Sequence, residues 1–409
     1  MASSPSVRRE RDALGELELP ADALWGIHTA RALANLSFSR RRLGDAPAYV
    51  AALARVKRAA ARANARAGVI EPRLAEAIER AALELEQGGH ARHFPVDLLG
   101  GGGSIGVHMN VNEVLANLAN ETLGARRGEY APVRPLEHVS ASQSTADVCH
   151  SAARLAVRAL ALRLDEALDR ALAGLDAKAA ELDGTTTLAR TCLRDALPAS
   201  MGLLVRGWAR GLERARAALA ESLAPLHAVS LGGTVIGTGA GAPDAYRACV
   251  VPILAELEGR PLARLENPSD ALQSGDDLAG VSRAAVAVAN ALLKTASDLR
   301  LLFSGPEGGF GELELPHVQA GSSFFAGKQN PVVPETAIAC ALQVVGLDRS
   351  VQGALERAEL HLHVYDGVAA ANLFEALELL ANAVALLDAR CLRGLRPNTE
   401  RCRELAQLR

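Results

Sequence analysis

The sequence predicts an all-α protein built around five long helices, and three observations carry that expectation. Apolar residues make up 49% of the chain but aromatics only 3%, and the apolar share is mostly Ala, Leu and Val, which favours helix over sheet. Residues 147–182 contain no proline and a single glycine, Gly174, and Leu164, Leu168, Leu172 and Leu175 recur there at helical spacing. Similar long patterns return at 200–224, 276–304, 334–364 and 369–389. At 1.5 Å per residue the first of these would reach roughly 54 Å, too long for an ordinary globular core and suited to a long bundle.

In chain order, the first 137 residues mix short helices, expected at 47–66 and 72–86, with turns, and close on "LLGGGGSIGVHMNVNEVLANLAN". "SQSTADV" reads as a helix start, with Ser144 or Thr145 as cap and Asp147 in the first turn. The long helices are separated by the joints "DGTTTLARTCLRDALPAS", "LGGTVIGTGAGAP" and "SGPEGGFGELELPHVQAGSSFFAGKQNP", and by a turn near Asp366–Gly367. The tail from Cys391 has room for one short helix.

Composition narrows the function. Net charge is −3 and the only basic cluster is Arg40–Arg42, so neither nucleic acid nor an anionic membrane is an expected partner. No run of 18 apolar residues occurs, and the N-terminus is polar, so neither a membrane span nor a secretory signal is expected. Six cysteines form no C-x-x-C pair, which suits reduced thiols in a cytoplasmic protein. His361 and His363 lie two apart on a predicted helix and should face different ways, so no metal pair is expected there. Only four lysines occur, Lys57, Lys178, Lys294 and Lys328. Lys328 sits in a polar loop, where a compact ammonium does what a guanidinium cannot.

Four polar joints, 100–112, 138–147, 184–195 and 319–335, gather Ser, Thr, Asn and Gly. In a bundle such joints lie at rod ends, and a helix start offers free N–H groups to an anion. Capping alone explains any one of them; it explains all four together less well.

At these residues the chain resembles the aspartase/fumarase superfamily over nearly its whole length. "HMNVNEVLAN", "SASQSTADV", "ARTCLRDALP", "LGGTVIGTG", "GSSFFAGKQNPVVPE" and "LRGLRPN" follow the family's motifs in order, and "DALGELELPADALWGIHTARALANLSFS" looks most like the aspartase branch. The resemblance implies an all-α fold with a central long five-helix bundle, and a homotetramer whose active sites are shared between subunits. It also implies a cofactor-free, metal-free β-elimination on an aspartate- or succinate-like dicarboxylate to give fumarate. The implied domains are 1–137, mixed helical; 138–390, the bundle; and 391–409, a remnant of a small C-terminal domain. Ser322 matches the family's base. A serine hydroxyl works as a base only when N–H groups and positive charge stabilise its alkoxide. Ser144, Thr145, Thr191, Ser323, Lys328 and Asn330 match its carboxylate contacts, and Glu335 a supporting acid.

The departures cluster. Ile105, Ala146 and Cys192 stand where the aspartase branch places Thr, Asn and His, and His108 replaces an Asn. Those are the groups around the leaving amine, so a pocket of lower polarity and a leaving group other than plain ammonia are expected. Cys192 has no His nearby in sequence and reads as pocket lining. The competing readings are an ordinary aspartate ammonia-lyase or fumarase and an inactive structural homologue.

Overall fold

The computed structural model describes residues 6–408. The helices are α1 Ile27–Leu36, α2 Pro47–Arg66, α3 Pro72–Glu86, α4 Ile105–Thr122, α5 Thr145–Glu181, α6 Met201–Ser222, α7 Asp244–Glu258, α8 Pro268–Ala271, α9 Asp276–Leu302, α10 Val332–Leu355, α11 Asp366–Arg390 and α12 Thr399–Ala406. The all-α class holds, and α5, α6, α9, α10 and α11 occupy the five expected long segments. Within α5, Leu164, Leu168 and Leu175 of the predicted stripe are fully buried. The α11 segment, Asp366–Gly394, is apolar and long enough by composition to cross a membrane, but 67% of its most apolar window is buried in the protein. A core helix reads the same way.

Two expectations change. The fourth long helix was expected to reach residue 364 but stops at Leu355. Leu360 takes φ +49°, a left-handed backbone through which a helix of L-residues does not continue. The joint at 184–195 is a hairpin, β3 Thr186–Thr191 against β4 Arg194–Ser200. Cys192 and Leu193 form its two-residue tip at φ +53° and +57°, the positive values that match the twist of a tight hairpin. Three other two-stranded sheets are present among the described residues, including the N-terminal pair Val7–Asp12 with Gly15–Pro20.

By contacts the chain forms two compact units. One holds the chain up to Ala159, Pro225–Ala279 and Val351–Phe374; the other holds Leu160–Ala224, Gly280–Ser350 and the chain from Glu375. In the first, α2 packs on α3 and α7, and its buried face is largely alanine, Ala52, Ala54, Ala59, Ala60 and Ala63 among them. In the second, polar side chains tie the long helices laterally. Arg216 of α6 meets Asp165 and Asp169 of α5 at 2.6 and 2.7 Å, and Trp208 of α6 donates to Asp298 of α9 at 2.8 Å.

The first unit is pinned by one cation. Arg154 of α5 is buried, bonds Asp277 in the first turn of α9 at 2.8 and 2.9 Å, and bonds Asp366, the first residue of α11, at 2.7 and 2.8 Å. This guanidinium holds the Asp277 carboxyl below the usual range against the opposing effect of burial. Arg154→Leu is therefore expected to cost on the order of 3–5 kcal/mol, because it strands two inward carboxylates. Chemical denaturation followed by circular dichroism would read the loss.

Candidate active site

The predicted site residues fall into two groups, one in each unit. In the first unit the start of α5 is capped by the side chains of Ser144 and Asp147. Ser144 Oγ accepts from the Ala146 N–H at 3.2 Å, and Asp147 accepts from the Ser144 N–H at 2.9 Å. The second oxygen of Asp147 accepts from the N–H groups of Gly232 and Thr234 at 3.0 and 3.1 Å, which ties the "LGGT" joint to this helix end. Asp147 is buried and its carboxyl is raised to about 6, burial outweighing these hydrogen bonds. With its Oγ lone pair turned to the helix, Ser144 keeps its O–H for an outside acceptor.

Behind Thr145 runs a buried chain. Lys57 Nζ lies 2.7 Å from His108 Nε2 and 2.9 Å from Gln143 Oε1, and His108 Nδ1 lies 2.8 Å from Thr145 Oγ1. Burial, and then the charge of Lys57, push His108 well below the usual histidine value, so the ring is neutral. Burial also lowers Lys57 to about 7, opposed by Cys149 and Asp147. A charged Lys57 donates to Nε2, which leaves the ring proton on Nδ1. That N–H then donates to Thr145 Oγ1 and frees the threonine hydroxyl to donate outward. His108, expected in the leaving-group pocket, thus acts from behind Thr145. We expect Lys57→Met to weaken succinate binding about tenfold at pH 6, the worth of one oriented hydrogen bond. In the unaltered chain binding should weaken as pH rises through about 7, where Lys57 loses its charge, and the variant should lose that dependence. Titration calorimetry across pH would check both.

Most of the "HMNVNEVLAN" motif does structural work. Glu113 accepts from the N–H groups of Gly26, His28 and Thr29 at 2.9, 2.8 and 3.1 Å, capping α1 from a distance. Asn117 donates to Leu24 O at 2.7 Å, and Asn120 exchanges two 2.8 Å bonds with Val133. Ile105 begins α4 and is exposed. Ala146 is buried and lines a small cleft with Thr145, Cys149, His150 and His363.

In the second unit the loop 319–335 closes on itself at a narrow neck. Gly321 N donates to Lys328 O at 3.0 Å, and Asn330 Nδ2 donates to Gly321 O at 2.6 Å. A Cβ on Gly321 would come within 2.6 Å of both Asn330 N and Lys328 O, so only glycine fits there. Inside the loop the N–H groups of Phe324 and Phe325 converge on Ser322 Oγ at 3.1 and 2.8 Å. These are the donors that an alkoxide at Ser322 requires. Ser323 and Lys328 are exposed, and the Lys328 ammonium lies 5.9 Å from the centre of the Phe325 ring, with no carboxylate pairing it among the described residues. Asn330 serves in this structure as the strut of the neck. Glu335 sits in the first turn of α10 and pairs with Arg300 at 3.2 Å.

Thr191 and Cys192 stand exposed at the tip of the β3–β4 hairpin. The hairpin root is held by buried Glu312, which takes the Thr187 hydroxyl and, at 2.5 Å, Arg190. A cavity of about 540 Å³ opens between this hairpin and α6, lined mainly by Leu188, Leu203, Leu204, Trp208 and Leu301, and none of the predicted site residues faces it. Sequence reasoning missed Lys57 and His363. Lysine scarcity, which drew attention to Lys328, would have flagged Lys57 as well.

Comparison with known proteins finds relatives along nearly the whole chain. Residues 15–346 match the profile of a family described as Lyase. The chain is 37% identical over 400 residues to aspartate ammonia-lyase of Escherichia coli strain K12, covering 98% of this chain and 84% of that protein. It is 38% identical over 405 residues to a class II fumarate hydratase of Methylorubrum extorquens, covering 98% and 85%. A crystal structure of a fumarate lyase:delta crystallin from Brucella melitensis superposes with a TM-score of 0.94 at 39% identity, covering 98% of this chain and 87% of that one.

Proposed function

Because the chain belongs to the aspartase/fumarase superfamily of lyases, we infer that it forms fumarate by β-elimination from a succinate that bears a leaving group other than plain ammonia. One observation carries the elimination: two backbone N–H groups converge on Ser322 Oγ at 3.1 and 2.8 Å. They stabilise the alkoxide that removes the proton beside one carboxylate. The C–H electron pair is held as an aci-carboxylate, which needs hydrogen-bond donors where the charge develops. That pair then forms the double bond as the carbon–nitrogen bond breaks and its electrons depart on nitrogen.

The nature of the leaving group is read from the cleft at the start of α5. Ala146 lines it where the related aspartate ammonia-lyases lead one to expect an amide, and Cys149 and Leu272 line it too. An ammonium finds few acceptors there. Candidate substrates are N-substituted aspartates and nitrogen-oxidised succinates. The relatives' names favour a second reading, plain aspartate or malate as substrate. An inactive homologue is disfavoured, because Ser322 keeps both of its N–H donors. The protein is further proposed to act in the cytoplasm as a homotetramer whose copies complete one another's sites. The deciding experiment is a screen of these succinates and of L-aspartate and malate for fumarate release, followed by absorbance, with light scattering on the same sample. Release from L-aspartate at ordinary aspartase efficiency, or a stable active monomer, would remove the corresponding part of the proposal.

A further inference from the structure

His363 is the residue of the first unit whose chemistry nothing so far uses. It lies in the turn between α10 and α11, fixed by its own backbone N–H, which donates to Leu272 O at 2.7 Å. Its side chain is only 4% exposed, and both ring nitrogens are without a hydrogen-bond partner among the described residues. Buried imidazoles are almost always satisfied, because leaving their polar atoms unmet is costly. The ring faces the cleft that also holds Thr145 and Ala146.

Three of its polar neighbours there are already committed, and Ser104 lines the cleft as well. His150 bonds Ala271 O at 3.1 Å and Ser230 Oγ at 2.9 Å. Both Asp366 oxygens face Arg154, at 2.7 and 2.8 Å, and Thr145 Oγ1 is bonded to His108 at 2.8 Å. None of these groups, Ser104 included, is hydrogen-bonded to His363, so both ring nitrogens stand open to a bound group.

We propose that His363 recognises the leaving group by donating its ring N–H to an acceptor atom, in the first instance oxygen, carried on the departing nitrogen. This rests on the elimination reading above and deepens it. A neutral imidazole offers one N–H and one lone pair. An ammonium can use the lone pair only, and it leaves the N–H facing a donor. A nitrogen bearing oxygen or a carbamoyl group meets the N–H with an acceptor. The cleft that Ala146 and His363 share has a volume of about 20 Å³, room for a single atom such as a nitrogen-borne oxygen.

The test uses the full chain carrying Ser322→Ala, so that binding is read without turnover. Titration calorimetry would compare succinate, L-aspartate, N-hydroxy-L-aspartate and N-carbamoyl-L-aspartate. The expected result is at least tenfold tighter binding of an oxygen-bearing ligand than of L-aspartate. Adding His363→Phe, which keeps a ring and removes both nitrogens, should abolish that preference while succinate affinity stays within about twofold. His363→Asn, which restores a donor and an acceptor, should recover part of it. A preference unchanged by His363→Phe, an equal loss for succinate, or no preference at the outset would each overturn the proposal. Thermal melting separates a folding defect, since removing unmet nitrogens should not lower the midpoint. A preference lost in His363→Phe, together with no fumarate release by the unaltered chain, would retain the His363 contact and sink the elimination reading instead.

Discussion

Ser322→Ala is expected to lower kcat by at least about a thousandfold, the range for removing a positioned base, while succinate still binds within a few-fold. The expectation follows from geometry local to one loop. The neck is closed by Gly321, Lys328 and Asn330 through backbone and amide bonds that do not involve the serine hydroxyl. The N–H groups freed by the substitution belong to Phe324 and Phe325, whose side chains are 85% and 60% exposed, so water can take them up. The fold should therefore survive, and the melting midpoint should stay close to that of the unaltered chain. If Ser322 only organised the loop, the variant would lose substrate affinity and kcat together. A stopped-assay measurement of kcat and KM separates the two cases. Near-normal kcat in a well-folded variant would reassign the base.

What the sequence disclosed follows from what kind of signal each feature leaves. The five long helices were legible because a 3.6-residue repeat persists over 22 to 37 positions in α5, α6, α9, α10 and α11, and local noise averages out. The α10 end was not legible. The helix stops at Leu355, and the turn that follows includes Leu360 at positive φ, of which leucine carries no warning. The hairpin at 186–200 was hidden for the same reason, with Cys192–Leu193 at its tip in place of the Asn-Gly or Gly-Gly that marks such turns. Ser322, Lys328 and Asn330 could be picked out as a loop with a purpose because their composition fits no core. What the loop does with them, two N–H groups aimed at one oxygen, is a matter of backbone direction. Lys57, His108 and Thr145 lie 51 and 37 residues apart along the chain, and no spacing rule joins them. The motif around Glu113 misled in the other direction, since polar residues inside a helix suggest chemistry where most of them hold turns in place.

The second large effect concerns what departs. L-aspartate should release ammonia at least a hundredfold more slowly than an oxygen-bearing or N-substituted succinate releases its group. Ile105, Ala146 and Cys192 each lack the hydrogen-bonding capacity of the Thr, Asn or His that the motif resemblance leads one to expect there, and a thiol sulfur is a weak acceptor. Each unmade bond to a charged group costs on the order of 1.5–3 kcal/mol, so two such losses already account for a hundredfold in rate. Near α5 the small cleft is lined by Ala146, Cys149 and Leu272 together with Thr145, His150 and the unbonded ring of His363. The triple variant Ile105→Thr, Ala146→Asn, Cys192→His should raise kcat/KM for L-aspartate by at least tenfold and lower it for the bulkier substrates. Asparagine at 146 refills the cleft, and that second change is the sharper one, because steric loss needs no particular hydrogen-bond geometry to appear. Parallel fumarate-absorbance assays on both proteins would measure the exchange. A triple variant that gains nothing on L-aspartate and loses nothing on the substituted succinates would show that these three positions do not govern the leaving group. Cleft recognition would then have to come from the loop that carries Ser322 and Lys328.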